Sequence, residues 1–192
     1  MANIKIDGIL RDGTQIGITN LLPVCVNYLL FILTCWIPYI NIGTFIGIIT
    51  LPAKLSKGES LSYTEIFNPV NRKYMGEGFL AISLMAGGIA MGFMFFIIPG
   101  IVISIAWSLA LLLVFDKNMD PISALKKSND VTYGNKLMIF LGKTIYFILI
   151  GIVITILGKI PAVGSILAAI FMIVCISLLA GVDAYIYREL TK

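Results

Sequence analysis

The sequence predicts an all-α, polytopic transmembrane helical bundle: six spans arranged as three pseudo-repeated hairpins, with short amphipathic interfacial helices in the connectors. Three observations predict it. Hydrophobic residues make up 59% of the 192-residue chain and charged residues 12%, against roughly half and a quarter in ordinary globular domains. Ile-Pro pairs interrupt long apolar stretches at Ile37-Pro38, Ile98-Pro99 and Ile160-Pro161, with spacings of 61 and 62 residues. Between those pairs the chain turns polar and basic. A soluble fold of this size could not hide so much apolar surface, whereas lipid removes the need to hide it. The chain therefore reads as a single integral membrane domain, 1–192, with hairpin repeats at about 1–57, 58–117 and 118–192.

Charge orients the hairpins. With the Ile-Pro turns placed on one side of the membrane, 13 of the 14 Lys and Arg residues fall on the other. Lys5 and Arg11 precede the first span, and Lys54, Lys57, Arg72 and Lys73 occupy the first connector. Five lysines, Lys117 to Lys143, lie in or beside the second, and Arg188 and Lys192 close the chain; only Lys159 sits at a turn. Short loops rich in Lys and Arg stay in the cytoplasm, so the N- and C-termini and both connectors are expected there. The opening residues Met1-Ala-Asn-Ile-Lys-Ile-Asp-Gly8 are not expected to be a signal peptide, because the apolar run begins only near Ile16 and no small-residue cleavage site follows.

The first hairpin is expected to run from about Gly17 to Trp36, to turn through Ile37–Gly43, and to return from Ile42 to about Leu55. The return is the weakest span: its uncharged stretch to Ala53 is 12 residues, short of the ~20 that cross a bilayer. A re-entrant segment would place four basic residues outside, so a short spanning helix extended by the snorkelling stems of Lys54 and Lys57 is preferred. The second hairpin is expected over about Gly78–Ile97 and Ile101–Phe115, turning at Ile98-Pro-Gly100. The third is expected over about Leu137–Leu157 and Ser165–Val182, turning at Gly158–Gly164. The prolines close one helix or open the next, where a missing N–H costs little.

The connectors repeat as well. Ser62 with Glu65 three residues on has the pattern of a capping box. Asp120-Pro121 reads as an N-cap followed by proline at the first helical position, with Ile122 and Leu125 apolar. Both connectors read as short amphipathic helices at the membrane surface. Ile6, Ile9 and Leu10 beside Lys5 and Arg11 suggest an equivalent element at the N-terminus.

The tract Ile98-Pro-Gly-Ile-Val-Ile, Val114-Phe-Asp, Asp120-Pro-Ile-Ser-Ala-Leu-Lys-Lys-Ser128 and Gly134-Asn135 resembles the core of the bacterial YciC-type membrane proteins and of the membrane domain attached to some glycerophosphodiester phosphodiesterases. The likeness covers most of the chain and is sharpest over about residues 95–145. It implies a multi-pass protein of the cytoplasmic (inner) membrane of a bacterium. It carries over no catalytic residue, since no phosphodiesterase domain is appended here.

Ionisable groups near membrane depth are costly and so are candidates for function. Glu77, Asp116, Lys143 and Asp183 stand toward the connector ends of their spans. Lys143 lies 18 residues before Pro161 and Asp183 lies 22 after it, which in an antiparallel hairpin puts them within about 6 Å in depth. An ion pair or a charged vestibule is expected there, against the plainer reading of interfacial side chains reaching water. Asn20 and Asn27 are seven apart and would share one face of the first helix, either lining a polar path or bonding to a neighbouring helix. Arg72 and Lys73, with Lys126 and Lys127, are candidates for contact with anionic lipid headgroups at roughly 1 kcal/mol per charge.

Small residues recur at four-residue spacing: Gly43 and Gly47, Gly88 and Gly92, Gly100 and Ser104, Gly164 and Ala168. Such positions let helix backbones approach closely, within one bundle or across a subunit interface. Cys25, Cys35 and Cys175 all lie in apolar runs and read as inert thiols. The chain has no histidine and no nucleotide-binding, zinc-protease or nucleophile-elbow motif, so no enzyme and no cofactor are expected. Expected partners are membrane lipids and further copies of the chain, not nucleic acid. Two function classes remain: a protein acting by assembly, lipid organisation or interaction (scaffold, immunity or stress type), or a passive channel or small-solute transporter.

Overall fold

The computed structural model describes residues 4–38, 40–161 and 163–192. Tyr39 in the first expected turn, Ala162 in the third, and the first three residues lie outside the described residues. Among the described residues the fold is helical throughout: α1 (Ile6–Thr19), α2 (Leu21–Thr34), α3 (Ile40–Ser56), α4 (Met75–Phe95), α5 (Ile97–Ala106), α6 (Ala110–Lys117), α7 (Pro121–Thr132), α8 (Lys136–Gly158) and α9 (Gly164–Leu190). Among them, α4, the run α5–α6, α8 and α9 are each long and apolar enough to cross a membrane. α1 and α2 reach that length only together, and they are bent by 72°. The structure therefore offers four such spans, or five with the bent pair counted as one, and α3 is a shorter apolar helix of 17 residues.

The first span is the main departure from expectation. A straight helix from Gly17 is replaced by a break at Asn20, whose side-chain amide donates to the Ile16 carbonyl at 3.0 Å. Asn20 takes a non-helical conformation (φ −108°, ψ 21°), and Pro23 three residues on supplies no N–H to continue the ladder. The N-terminal segment is consequently packed on the bundle: α1 lies antiparallel along the C-terminal half of α9. A Cβ at Gly13 would stand 3.0 Å from the Val182 Cα, and one at Gly17 would stand 2.8 Å from the Leu178 Cα. A Cβ at Gly181 would collide with the Gly13 carbonyl and stand 2.8 Å from the Gly17 Cα. The crossing is sealed by Ser177, whose Oγ donates to the Gly17 carbonyl at 2.8 Å.

α9 is the spine of the molecule, extending eight residues past the expected end at Val182 to Leu190. Ile9, Leu113, Ile139 and Ile186 meet in one apolar core on its flank. Val24, Leu51, Ile66 and Ala184 meet in a second. The doubtful short span α3 is the most enclosed of the helices, with ten of its 17 residues buried between α9, α2, α6 and the first connector. Its two threonines are accommodated by burial against protein, where Thr44 and Thr50 return their hydroxyls to their own helix.

The two connectors differ from each other. The second forms α7: Asp120 accepts from the Ile122 and Ser123 amides at 3.1 Å each, and Pro121 opens the helix. The first does not form an amphipathic helix. It is an irregular stretch with 3₁₀ turns at Glu65–Phe67 and Pro69–Arg72, and it buries Leu61, Ile66 and Asn71 against α2 and α3. Ser62 does not cap a helix; its Oγ receives the Thr64 amide two residues on at 3.4 Å.

The second hairpin turns at Phe96, two residues earlier than expected, in an extended conformation (φ −165°) that leaves Pro99 in the first turn of α5. At the turn side of the hairpins Phe95, Phe96 and Ile97 are 78%, 77% and 70% exposed. Water would not tolerate such a cluster, and lipid is the solvent that suits it.

Candidate functional site on the connector side

The polar side chains collect at the end of the bundle that carries the termini and connectors. Lys57 pairs with Asp116, whose second oxygen accepts from the Tyr187 hydroxyl at 2.8 Å. Lys54 pairs with Glu65 of the first connector, and Asn68 donates to the same carboxylate at 3.3 Å. The expected snorkelling of Lys54 and Lys57 is therefore replaced by ion pairing. Burial pushes the Glu65 carboxyl up, but the hydrogen bonds from Lys54 and Asn68 outweigh it and hold the group below the usual glutamate range. Between these pairs lies a cavity of about 140 Å³ lined by Thr50, Lys54, Asn68, Asn71, Phe115 and Asp116. Its size, and the polar groups of Thr50, Asn68, Asn71 and Asp116 among mostly apolar walls, suit several water molecules.

Lys143 and Asp183 are brought together: Nζ and Oδ1 stand 2.6 Å apart across α8 and α9, with about a third of each side chain exposed. They form a direct pair rather than an open vestibule. Glu77 stands apart from them, exposed in the first turn of α4.

Asn20 and Asn27 do not share a face, because the break between α1 and α2 separates them. Asn27 is fully buried and serves as the clamp of the first connector. Its Nδ2 donates to the Pro23 and Ser62 carbonyls at 2.8 Å each, and its Oδ1 accepts from the Ile66 amide at 3.0 Å. No polar path along the first helix results.

The small residues sort into three uses. Gly43 and Gly47 do not face a helix but the first connector, at the Arg72 side chain and at Ile66 and Asn71. Gly88, Gly92 and Gly100 close the α4–α5 hairpin: Gly88 receives the Trp107 ring, Gly92 faces the Gly100 backbone, and Gly100 faces the Phe93 ring. Gly164 lies against the Leu157 carbonyl at the last turn. The closest helix crossing, at Gly13, Gly17, Ser177 and Gly181, was missed. Its signal was present as two small-x-x-x-small pairs, Gly13 with Gly17 and Ser177 with Gly181.

Ser128 was also missed as a functional position, although it ends the Asp120–Ser128 motif. It is fully buried. Its Oγ donates to the Ala106 carbonyl at 2.6 Å and accepts from the Leu109 amide at 3.2 Å. Those are the two backbone groups left over where the helix breaks between α5 and α6, because Ala110 bonds to the Trp107 carbonyl instead.

Arg72, Lys73, Lys126 and Lys127 are all exposed. Among the described residues no cluster of three or more Cys, Asp or Glu side chains has the geometry to hold a metal ion. The three cysteines are free, and Cys25 Sγ contacts the Ile173 carbonyl at 3.5 Å. In comparisons with known proteins, no family model, no curated protein and no solved structure matches the chain.

Proposed function

We propose that the chain is a non-enzymatic integral membrane protein that acts by assembly and lipid organisation, as a scaffold rather than a conduit. One observation carries this reading. Only 17% of the membrane-length stretch of α4, and 17% of that of α8, is buried within the bundle. Most of their apolar surface is therefore offered outward, to lipid or to another protein. Meanwhile Lys54, Lys57 and Lys143 are paired with Glu65, Asp116 and Asp183, which favours a closed end over a polar entrance at those positions.

In this reading the protein crosses the cytoplasmic membrane of a bacterium six times as three hairpins, the bent α1–α2 pair serving as the first crossing and α3 as the second. Both termini and both connectors stand in the cytoplasm, where 13 of the 14 basic residues then lie. The resemblance to YciC-type membrane proteins accords with this. Purified protein in sealed liposomes is expected to produce no conductance above protein-free liposomes and to recruit or cluster labelled lipid or further copies of itself. Sustained single-channel currents or solute flux would overturn the proposal in favour of a passive pore.

A further inference from the structure

We propose that the groove bounded by α5, α7 and the start of α8 binds one anionic phospholipid, its phosphate held under Lys126 and Lys136 and an acyl chain laid along α5. This deepens the reading of the chain as a lipid-organising membrane protein and rests on it. Two cavities of about 430 Å³ and 420 Å³ share Val102 and Lys136 in their walls, so they are two ends of one groove. Each lies within the ~300–1,000 Å³ range of ordinary ligand sites.

The ends differ in chemistry. One holds Lys126, Asn129 and Lys136, with Trp107 beside them. The other is walled by Ile98, Ile101 and Phe140. Neither end is lined by Asp or Glu among the described residues; Asp120, whose carboxylate feels the Lys126 charge, caps α7 outside the groove walls. The Lys136 Nζ donates to Asn129 Oδ1 at 2.8 Å, which fixes its position, and an ammonium carries three donors. The apolar end opens sideways: Ile98 is 74% exposed and Val102 is 42% exposed. A chain can enter it from the surrounding lipid without a gate.

A cationic head over an apolar slot matches a lipid with a negatively charged headgroup better than a soluble anion, which has no use for the slot, or a zwitterionic lipid, which gains less from the charge. Lys127, adjacent in sequence, lines neither cavity, so the site selects one lysine of that pair.

Detergent-solubilised full-length protein titrated with phosphatidylglycerol or with phosphatidylcholine of the same acyl chains, and read by native mass spectrometry, tests this. One phosphatidylglycerol is expected to be retained in preference to phosphatidylcholine. Lys126→Ala and Lys136→Ala should each weaken that retention about fivefold. Val102→Phe, which fills the trough, should weaken retention of both lipids. Lys5→Ala removes the same charge from an exposed position on the connector side and should leave the preference intact. An equal loss in Lys5→Ala and Lys126→Ala would overturn the groove in favour of diffuse surface charge. So would equal retention of the two lipids, or displacement of the bound lipid by inorganic phosphate. Those results leave the lipid-organising reading standing, whereas an absence of retained lipid of either kind together with liposome conductance removes both.

Discussion

At Ser128 one hydroxyl does the work of a helical turn. The break between α5 and α6 frees the Ala106 carbonyl and the Leu109 amide in a buried setting; Ser128 bonds to both, and the Thr132 hydroxyl also reaches the Ala106 carbonyl at 3.5 Å. Buried polar groups left unpaired cost about 1–3 kcal/mol each. Ser128→Ala leaves the Leu109 amide unpaired and is therefore expected to destabilise the fold by about 1–3 kcal/mol, read as a lowered midpoint of thermal or denaturant unfolding in detergent. A wild-type midpoint in the variant would mean that the break finds other partners. Glu65 offers a pH-dependent counterpart. Its folded-state pKa is depressed, so the stability it contributes is present above the unfolded glutamate value of about 4.3 and is lost as pH falls through the folded value. Glu65→Gln should remove that acid-side dependence while leaving the neutral-pH midpoint changed by no more than about 1 kcal/mol, as expected for a partly exposed pair. Unfolding midpoints at several pH values, wild type against variant, check it.

Between elements, the α1–α9 crossing sets the geometry of the N-terminal part of the bundle. Backbone meets backbone at Gly13, Gly17 and Gly181, and a larger side chain there forces the helices apart at about 1–3 kcal/mol. Gly181→Leu is expected to destabilise by that amount, measured by unfolding in detergent. Gly151→Ala, where an added Cβ meets nothing within 4 Å, should be neutral or mildly stabilising. A second tether, Lys143–Asp183, joins α8 to α9. With each side chain about a third exposed, a double-mutant cycle to Ala should return a coupling of only about 0.2–1 kcal/mol. Much of this level was legible in advance: Pro and the apolar runs marked the long helices, and counting from Pro161 brought Lys143 and Asp183 to similar depth. The α1–α9 contact was not legible, because hydropathy records how apolar a segment is and not which segment it meets. Ile6, Ile9 and Leu10 beside Lys5 and Arg11 made α1 look interfacial, while Gly13 and Gly17 faced α9. The first connector misled for a related reason. The Ser62–Glu65 pattern supports a helix only if nothing outside competes for those groups, and Lys54 takes the carboxylate while Asn27 takes the backbone.

For the whole molecule, the asymmetry of charge and the asymmetry of packing point the same way. The buried core lies toward the end with the connectors, and the turn-side tips are apolar and uncovered. A protein built so is anchored by its basic end, because moving several Lys and Arg residues through the hydrocarbon would cost a few kcal/mol for each. The orientation follows as a prediction. In a background with Cys25, Cys35 and Cys175 replaced, Lys159→Cys at the third turn should react with a membrane-impermeant thiol reagent added to intact cells. Glu59→Cys in the first connector and Lys192→Cys at the C-terminus should react only after the membrane is opened. The decisive member is Glu59→Cys, which follows α3 directly. If α3 crosses, it shares the protected side with Lys192; if α3 is instead a re-entrant segment held between α9 and the first connector, Glu59→Cys is labelled from outside. That result would reduce the six crossings we propose to five, the upper count reached by length and composition. It would also require the termini to lie on opposite sides, against the near-complete segregation of the basic residues. The packing of α3 against both α6 and α9 is compatible with a short crossing only if the bilayer thins or the flanking polar groups reach outward to meet it. Lys57, about half exposed beside its partner Asp116, supplies such a group at the end of α3. Neutralising Glu65 and Asp116 together should then shift labelling of Glu59→Cys toward the outside before it unfolds the rest of the bundle, a change that the same reagent reads directly.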